Sequence, residues 1–289
     1  MTPVGTSVVL ECVVNVSEGR DGDVVAAIAR AGSDALLDVH SDPDHHRTVL
    51  TLAAPGPRLE EAVRAVARAT VQHIDLGGHD GVHPRLGALD VVPFVPLGPD
   101  GSPSGNGTDL GPAIEARDRF AAWAGAELAL PCFLYGPERT LPEVRRQAFG
   151  RLGPDTGPPR PHPSAGACAV GARPVLVAYN VWLRTADLAV ARALASAIRG
   201  PAVRALGLAV GDATQVSCNL IDPMVVGPAA VYDAVSGLAE QAGTEVARAE
   251  LVGLVPAAVV EAVASTRRSA LDLGPEKTIE ALLSRPGSS

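Results

Sequence analysis

The sequence is poor in aromatic residues and cysteines and has no dense run of positive charge. Aromatic residues make up 3% of the chain, and the formal net charge is −8. Because Lys and Arg form no stripe, the composition excludes an extended nucleic-acid-binding surface. The cysteines lack Cys-x-x-Cys spacing, so we expect buried free thiols in a reducing cytosol rather than disulfides or a zinc site. They are Cys12, Cys132, Cys168 and Cys218.

The chain also lacks the features of an exported or membrane protein. Its first residues carry no basic region, and no apolar stretch there is long enough for a signal peptide or a membrane span. We therefore expect a cytoplasmic protein with no membrane partner. With 289 residues, 47% of them apolar, the chain can bury a substantial core. The composition favours a protein that acts on small molecules.

Hydrophobic periodicity divides the chain into two halves, residues 1–172 and 173–289. Both halves predict alternating strands and helices, and the second follows the order βαββαβ, which is the split βαβ or ferredoxin-like arrangement. A weak internal repeat favours duplication, because VVNVSEGR and AYNVWLRT precede the first helix of each half. The fold class is therefore α/β (α+β), with two ferredoxin-like βαββαβ subdomains.

Two segments carry specific structural expectations. The run Leu89–Leu97 reads as a strand, and its prolines at 93 and 96 place it near a sheet edge or a bend. Residues 153–172 contain so many prolines and glycines that we expect irregular structure between the halves. That segment is either a linker or a stiff wall of a ligand cleft.

Several polar and aromatic residues lie at positions that suit catalysis or ligand binding. His83 precedes Pro84, which keeps it extended and outside any helix, so a loop-borne imidazole is available for acid/base work. Asn15 and Asn180 lie near the carboxyl ends of the first strands of the halves, where they face a shared cleft or cap a turn. Trp182 shares the strand face of Asn180, so it stacks on a ligand ring or belongs to the core.

Six motifs, in order along almost the whole chain, resemble glutamate formiminotransferase. They are ECVVNVSEGR at 11–20, DHHRTV at 44–49, HPRLGALDV at 83–91, GAR with AYN at 171–173 and 178–180, QVS with NL at 215–217 and 219–220, and LVGLVP at 251–256. The resemblance implies two α/β subdomains with a ligand cleft between them and a homodimer in the cytoplasm. It also implies transfer of a formimino group from N-formimino-L-glutamate to tetrahydrofolate, as in histidine degradation and one-carbon metabolism.

The resemblance assigns roles to particular residues. His83 would be the general acid/base, taking a proton from the folate nitrogen and delivering one to the departing α-amine. Tetrahydrofolate would be a co-substrate, and no metal is expected. The folate-binding loop of the family corresponds in spacing to ten residues of the Pro-rich segment. They are Gly157, Pro158, Pro159, Arg160, Pro161, His162, Pro163, Ser164, Ala165 and Gly166.

The charges of the donor suggest its protein partners. Guanidinium groups match carboxylates bidentately, so Arg47, Arg85 and Arg173 are candidates for substrate carboxylates, or alternatively structural ion-pair partners. The cationic amidine requires a carboxylate or an amide oxygen, for which Glu11 and Asn15 rank first.

Three alternatives compete with this interpretation. The cluster of His40, His45 and His46, with two interleaved aspartates, could bind a divalent ion in a metal-dependent amidine or amide hydrolase. The spacing matches no strong zinc signature, and the family usually has Asn where this chain has His46. Departures in the opening motif and two shortened connections favour a second alternative, a folate-dependent transferase with another donor or acceptor. A binder that has lost turnover is a third class, which the retained His83 disfavours.

Overall fold

The computed structural model describes residues 8–80, 85–103 and 109–285. The chain forms two units. The N-terminal unit contains the described residues up to Pro174 together with those from Leu283 onward, and the C-terminal unit is Val175–Leu282.

The N-terminal unit is built on a six-stranded sheet. Its elements are β1 (Val9–Val16), α1 (Gly22–Ala31), β2 (Leu36–Asp42), β3 (Arg47–Pro55), α2 (Gly56–His73), β4 (Leu89–Leu97), α3 (Gly111–Glu127), β5 (Cys132–Tyr135), α4 (Leu141–Gln147) and β6 (Cys168–Ala172). The strand order is β2-β3-β1-β4-β6-β5. The first four strands pair antiparallel in the ferredoxin-like order, and β6 extends the sheet by pairing parallel with both β4 and β5.

The C-terminal unit repeats this topology with four strands. The remaining elements are β7 (Val177–Leu183), α5 (Leu188–Ala197), β8 (Val203–Val210), β9 (Ala213–Leu220), α6 (Pro228–Gln241), β10 (Val246–Val252), α7 (Ala257–Glu261), α8 (Ser265–Arg268) and α9 (Ile279–Leu283). The strand order is β10-β7-β9-β8. It corresponds strand for strand to β4-β1-β3-β2, so the predicted pair of βαββαβ subdomains is confirmed.

Side-chain alternation along β1 gives the N-terminal sheet two different faces. Leu10, Cys12 and Val14 are buried in the core that α2 and α3 cover. Glu11 and Asn15 point to the opposite face, since neighbouring residues of a strand alternate. Glu11 is nonetheless only 3% exposed. The sheet thus separates an apolar core from a face that carries polar groups.

The expectation that Leu89–Leu97 lies near a sheet edge is wrong. β4 is an inner strand that pairs with β1 on one side and β6 on the other, and all nine of its residues are buried. Pro93 is unpaired in the ladder with β1, which pairs Phe94 with Cys12 and Val91 with Asn15, so no pair on that side requires its missing N–H. On the other side Pro93 lies opposite Gly171 of β6.

The expectation that residues 153–172 lack regular structure is also wrong at one end. Cys168–Ala172 form β6, which is completely buried between β4 and β5. Its residues are small and give no strand pattern in the sequence. The packing requires small residues here, since a Cβ on Gly171 would lie 2.1 Å from the Tyr135 ring.

The four cysteines are free and buried as expected. Among the described residues, no helix has the length and apolarity needed to cross a membrane.

Candidate active site

Backbone contacts bring the opening motif and the HPRLGALDV motif together at the carboxyl end of β1. The Ser17 amide donates to the Ala88 carbonyl at 2.8 Å, and the Ser17 hydroxyl donates to the Gly87 carbonyl at 2.8 Å. The opening motif also lies against the turn after β2, because a Cβ on Gly19 would lie 2.3 Å from the Asp42 carbonyl oxygen. Three motifs that are far apart in sequence therefore share one end of the N-terminal sheet.

A buried carboxylate, Asp90, holds two arginines in this region. Asp90 is fully buried, and its oxygens accept from Arg47 Nη1 at 2.6 Å, Arg145 Nη2 at 2.8 Å and the Leu86 amide at 2.6 Å. Burial alone would raise the pKa of Asp90, but the two guanidinium charges and these hydrogen bonds hold it well below its usual range. Asp90 is therefore ionised at neutral pH.

Arg47 links this charge pair to Asn15. Arg47 Nε donates to Asn15 Oδ1 at 3.1 Å, and Asn15 Nδ2 donates to the Val13 carbonyl at 2.8 Å. Burial lowers the pKa of Arg47, and the negative charge of Asp90 opposes that effect. Arg47 was expected either to bind a substrate carboxylate or to form a structural ion pair, and the structure shows the ion pair with Asp90.

A second cluster joins Glu18 to the residues around His79. Glu18 Oε1 accepts from three backbone amides at positions 19–21 and lies 3.1 Å from His46 Nε2, while His46 Nδ1 donates to the Asp80 carbonyl at 2.6 Å. The rings of His46 and His79 are stacked with centroids 3.8 Å apart. The Arg85 guanidinium contacts the His79 ring, with Nη1 at 2.8 Å from Nε2. This chain of contacts joins Glu18, His46, His79, Asp80 and Arg85 in one cluster.

The surroundings of Glu18 and His79 lower the pKa of both groups. Burial alone would raise the pKa of Glu18, but the amides of Asp21 and Arg20 and the nearby His46 lower it. Burial and the positive charge of Arg85 lower the pKa of His79. An ionised Glu18 therefore lies next to a neutral His79, which can accept a hydrogen bond from Arg85.

The predicted folate loop ends beside the same motif. His162 and Gly166 exchange backbone hydrogen bonds of 2.7 and 3.0 Å, which closes the end of the loop into a tight turn. Gly166 forms a bridge with Gly87, and the Ala88 amide donates to the Ala165 carbonyl at 2.9 Å. Gly166 has φ of 68°, a backbone conformation that favours glycine. Residues 162–166 are thus held against the segment that follows His83.

Other predicted site residues lie elsewhere. His83 lies outside the described residues. Arg173 follows β6, where its amide donates to the Phe94 carbonyl at 3.1 Å and its Nη1 donates to the Pro174 carbonyl at 2.9 Å. Glu11 lies on β1 opposite Ala53 of β3.

The placement of Asn180 at a strand end is wrong. Asn180 is the middle residue of β7, because the apolar residues that follow it continue the strand to Leu183. Its side chain donates to Glu250 of β10 at 3.2 Å, and Trp182 Nε1 donates to the same carboxylate oxygen at 2.8 Å. The Arg248 guanidinium covers the Trp182 ring. These residues form a polar cluster on the sheet of the C-terminal unit.

The histidines proposed as metal ligands have other partners. His45 is 6% exposed and lies 3.9 Å from the Asp42 carboxylate, and both ring nitrogens of His46 face oxygen atoms. In the part of the chain that the structure describes, no three His, Cys, Asp or Glu side chains are grouped to hold a metal ion.

Sequence reasoning did not include Asp90 and Arg145 among the site residues. Arg145 lies on α4, which was not predicted, although a capping box of Thr140 and Glu143 with Pro142 marks its start. That signal identifies the helix. It does not show that α4 brings Arg145 to Asp90, 55 residues earlier in the chain.

Comparison with known proteins decides the family. Residues 9–173 match the formiminotransferase domain, N-terminal subdomain, and residues 178–285 match the formiminotransferase domain. The chain belongs to the formiminotransferase domain family. Similar relatives are the glutamate formimidoyltransferases of Streptococcus pyogenes, 32% identical over 86% of this chain and 89% of the relative, and of Thermoplasma acidophilum, 34% identical over 86% and 88%.

Formiminotransferase domains also occur in longer relatives. The formimidoyltransferase-cyclodeaminase of Sus scrofa is 34% identical over 86% of this chain but only 50% of the relative. The two formiminotransferase matches coincide with the two halves of the chain, so the predicted family and transferase class are confirmed. Three of the six motifs that carried the resemblance, those at 11–20, 44–49 and 83–91, are the ones that the structure brings together at the end of β1.

Proposed function

We propose that this protein is a glutamate formimidoyltransferase, which moves the formimino group of N-formimino-L-glutamate to tetrahydrofolate and releases glutamate. The observation that carries the proposal is the match of both halves to the two parts of the formiminotransferase domain. Relatives named glutamate formimidoyltransferase align with this chain over nearly their whole length. The convergence of three of the six family motifs at one end of β1 supports a location for the chemistry there.

His83 is the proton carrier in this proposal. It would accept the proton that the folate N5 loses as that nitrogen bonds to the amidine carbon. It would then return a proton to the α-amino nitrogen of glutamate as the old carbon–nitrogen bond breaks. His79 and Arg85, which lie on either side of His83 in the sequence, contact each other through the Arg85 guanidinium and the His79 ring.

The substrate charges have partners in the same region. Arg47, Arg85 and Arg173 are the candidates that would pair with the donor carboxylates. Glu11 and Asn15 would orient the cationic amidine, and Asn180 of the C-terminal unit is a separate candidate for contact with the substrate. The contacts that tie residues 162–166 to the Gly87 segment support Gly157–Gly166 as the folate loop.

The proposal extends to cofactor, compartment and assembly. Tetrahydrofolate acts as a co-substrate, and the transfer requires no metal. Four buried free thiols fit a reducing compartment, so we place the protein in the cytoplasm. The family resemblance implies a homodimer, which light scattering of the purified protein would test as a doubled mass.

The decisive assay measures formation of 5-formiminotetrahydrofolate from N-formimino-L-glutamate and tetrahydrofolate, with and without a chelator. We expect chelator-insensitive turnover in the wild type and a loss of about 10²-fold or more in His83→Ala. His73→Ala is the matched control, because His73 is an exposed histidine at the end of α2. Absence of turnover with a bound folate would point to another donor, and turnover abolished by the chelator would support the metal-dependent alternative.

A further inference from the structure

A buried hydroxyl group in the N-terminal sheet has no hydrogen-bond partner. Thr51 lies in the middle of β3 and is only 1% exposed, and its Oγ1 makes no hydrogen bond to any residue that the structure describes. A hydroxyl that leaves water without gaining a hydrogen bond destabilises the folded protein. Such groups are rare in native proteins, so the presence of this one requires a physical reason.

The packing of β3 does not require a hydroxyl at position 51. The neighbours of Thr51 on the same face of the strand are Val49 and Ala53, which are apolar and buried. Valine has nearly the same shape as threonine and suits a strand equally well, but it has no polar atom to bury. The buried hydroxyl of Thr70, in contrast, donates to the Val66 carbonyl at 2.8 Å. The polar atom of Thr51 therefore points to a partner outside the sheet.

The register of the sheet places Thr51 between the two residues proposed to orient the amidine. Thr51 pairs with Val13 of β1, and Glu11 and Asn15 are the residues of β1 that flank Val13 on the same face. Since Glu11 and Asn15 are four residues apart along the strand, a group that contacts both must lie over Val13 and Thr51. Val13 and Asn15 are only partly buried, so this part of the face is open to a ligand.

We propose that the Thr51 hydroxyl is a third contact for the amidine of the formimino donor, beside Glu11 and Asn15, and that its oxygen accepts an amidine N–H. The amidine is cationic and presents N–H groups, and a hydroxyl oxygen has lone pairs that accept them. The bound donor thus supplies the partner that Thr51 lacks in the free protein. This inference rests on the proposed function and adds a specificity-determining residue to the donor site.

Thr51→Val tests the contact because it removes the hydroxyl and keeps the shape. In isothermal titration calorimetry without folate, this variant should bind N-formimino-L-glutamate about tenfold more weakly than the wild type, as expected for loss of a hydrogen bond to a charged group. Thr51→Ser keeps the hydroxyl and should retain the wild-type affinity. Glutarate is the control ligand, since it has two carboxylates like the donor but no N–H group. Its affinity should be the same in all three proteins.

The same substitution should have the opposite effect on stability. Removal of an unpaired buried hydroxyl should raise the urea midpoint of Thr51→Val. Thr70→Val is the matched control, because it removes a buried hydroxyl that forms a hydrogen bond, and its urea midpoint should fall. Thr51→Ser should also be less stable than the wild type, because it loses a buried methyl group. A purely structural role for Thr51 predicts instead that the more stable variant binds the donor at least as well as the wild type.

Three outcomes would overturn the contact. Unchanged donor affinity in Thr51→Val is the result expected if a buried water is the partner of the hydroxyl. Equal weakening of glutarate and donor binding would show a distorted site rather than a lost contact. A urea midpoint that falls as much in Thr51→Val as in Thr70→Val would show that the Thr51 hydroxyl is already paired in the free protein.

The inference and the proposed function fail in different ways. Turnover in which Thr51→Val leaves the KM for N-formimino-L-glutamate unchanged would overturn the Thr51 contact alone. Donor binding with the predicted variant effects, but without folate-dependent turnover, would overturn the transferase proposal and leave the Thr51 contact standing. A wild-type protein that does not bind the donor at all would contradict both. The binding measurements require no folate, so they are independent of the transfer assay.

Discussion

At the residue scale, Asp90 explains why the region at the end of β1 tolerates several buried charges. The buried Asp90 carboxylate accepts hydrogen bonds from the guanidinium groups of Arg47 and Arg145. It also accepts a hydrogen bond from the Leu86 amide. A buried ion without its partners would cost several kcal/mol in solvation energy. Asp90 therefore acts as a positioning residue, which holds Arg47 and Arg145.

Asp90→Asn should lower the free energy of unfolding by about 3–5 kcal/mol, because Arg47 and Arg145 would lose a buried counter-charge. Urea denaturation at pH 7 measures the change. Asp34→Asn is the control, because Asp34 forms an exposed pair with Arg58 and should cost about 0–1 kcal/mol. Equal losses in the two variants would contradict the role assigned to Asp90.

The difference between wild type and Asp90→Asn should depend on pH. The folded-state pKa of Asp90 is depressed, so its stabilising effect is complete above the unfolded pKa of about 4 and is lost as pH falls toward the folded pKa. Urea midpoints measured from pH 7 to pH 3 should therefore differ by a constant amount down to about pH 5 and converge below about pH 4. A difference that grows on acidification would mean that Asp90 is protonated in the folded protein.

At the element scale, the sequence pattern was sufficient to predict strand β4 but not strand β6. β4 was predicted with its observed bounds, because a dense run of Val and Phe signals a buried strand. β6 was missed because its residues, CAVGA, have few β-branched side chains and follow a Pro-rich segment. Its small residues are required by the Tyr135 ring, which β5 places across it, and no local pattern encodes that contact.

Gly171→Ala should lower the free energy of unfolding by about 1–3 kcal/mol, since a Cβ there would overlap the Tyr135 ring at 2.1 Å. Gly153→Ala is the matched control, because a Cβ on Gly153 would meet nothing within 4 Å and its effect should stay within about 0.5 kcal/mol. Tyr135→Leu should relieve part of the Gly171→Ala penalty in a double-mutant cycle. Additive effects would show that the ring is not the obstacle.

At the scale of the whole molecule, topology was easier to predict than the site. The order βαββαβ could be counted from periodicity in each half, and short connections leave few ways to pair such strands. The Asp90 cluster depends on residues 43 and 55 positions apart, which only the folded sheet and α4 bring together. The misplacement of Asn180 has a different origin, because the apolar residues that follow it continue β7 to Leu183.

Each unit has its own hydrophobic core, so damage to one core should remain local. Leu50 and Leu220 are fully buried in the separate cores of the N-terminal and C-terminal units. Leu→Ala at either position should cost about 2–5 kcal/mol by loss of transfer energy and creation of a cavity. In hydrogen-exchange mass spectrometry, Leu50→Ala should reduce protection in β1–β4, and Leu220→Ala should reduce it in β7–β10. Each variant is the control for the other. Equal loss of protection in both units would show that they unfold as one cooperative body, and the topological duplication would then not extend to folding energetics.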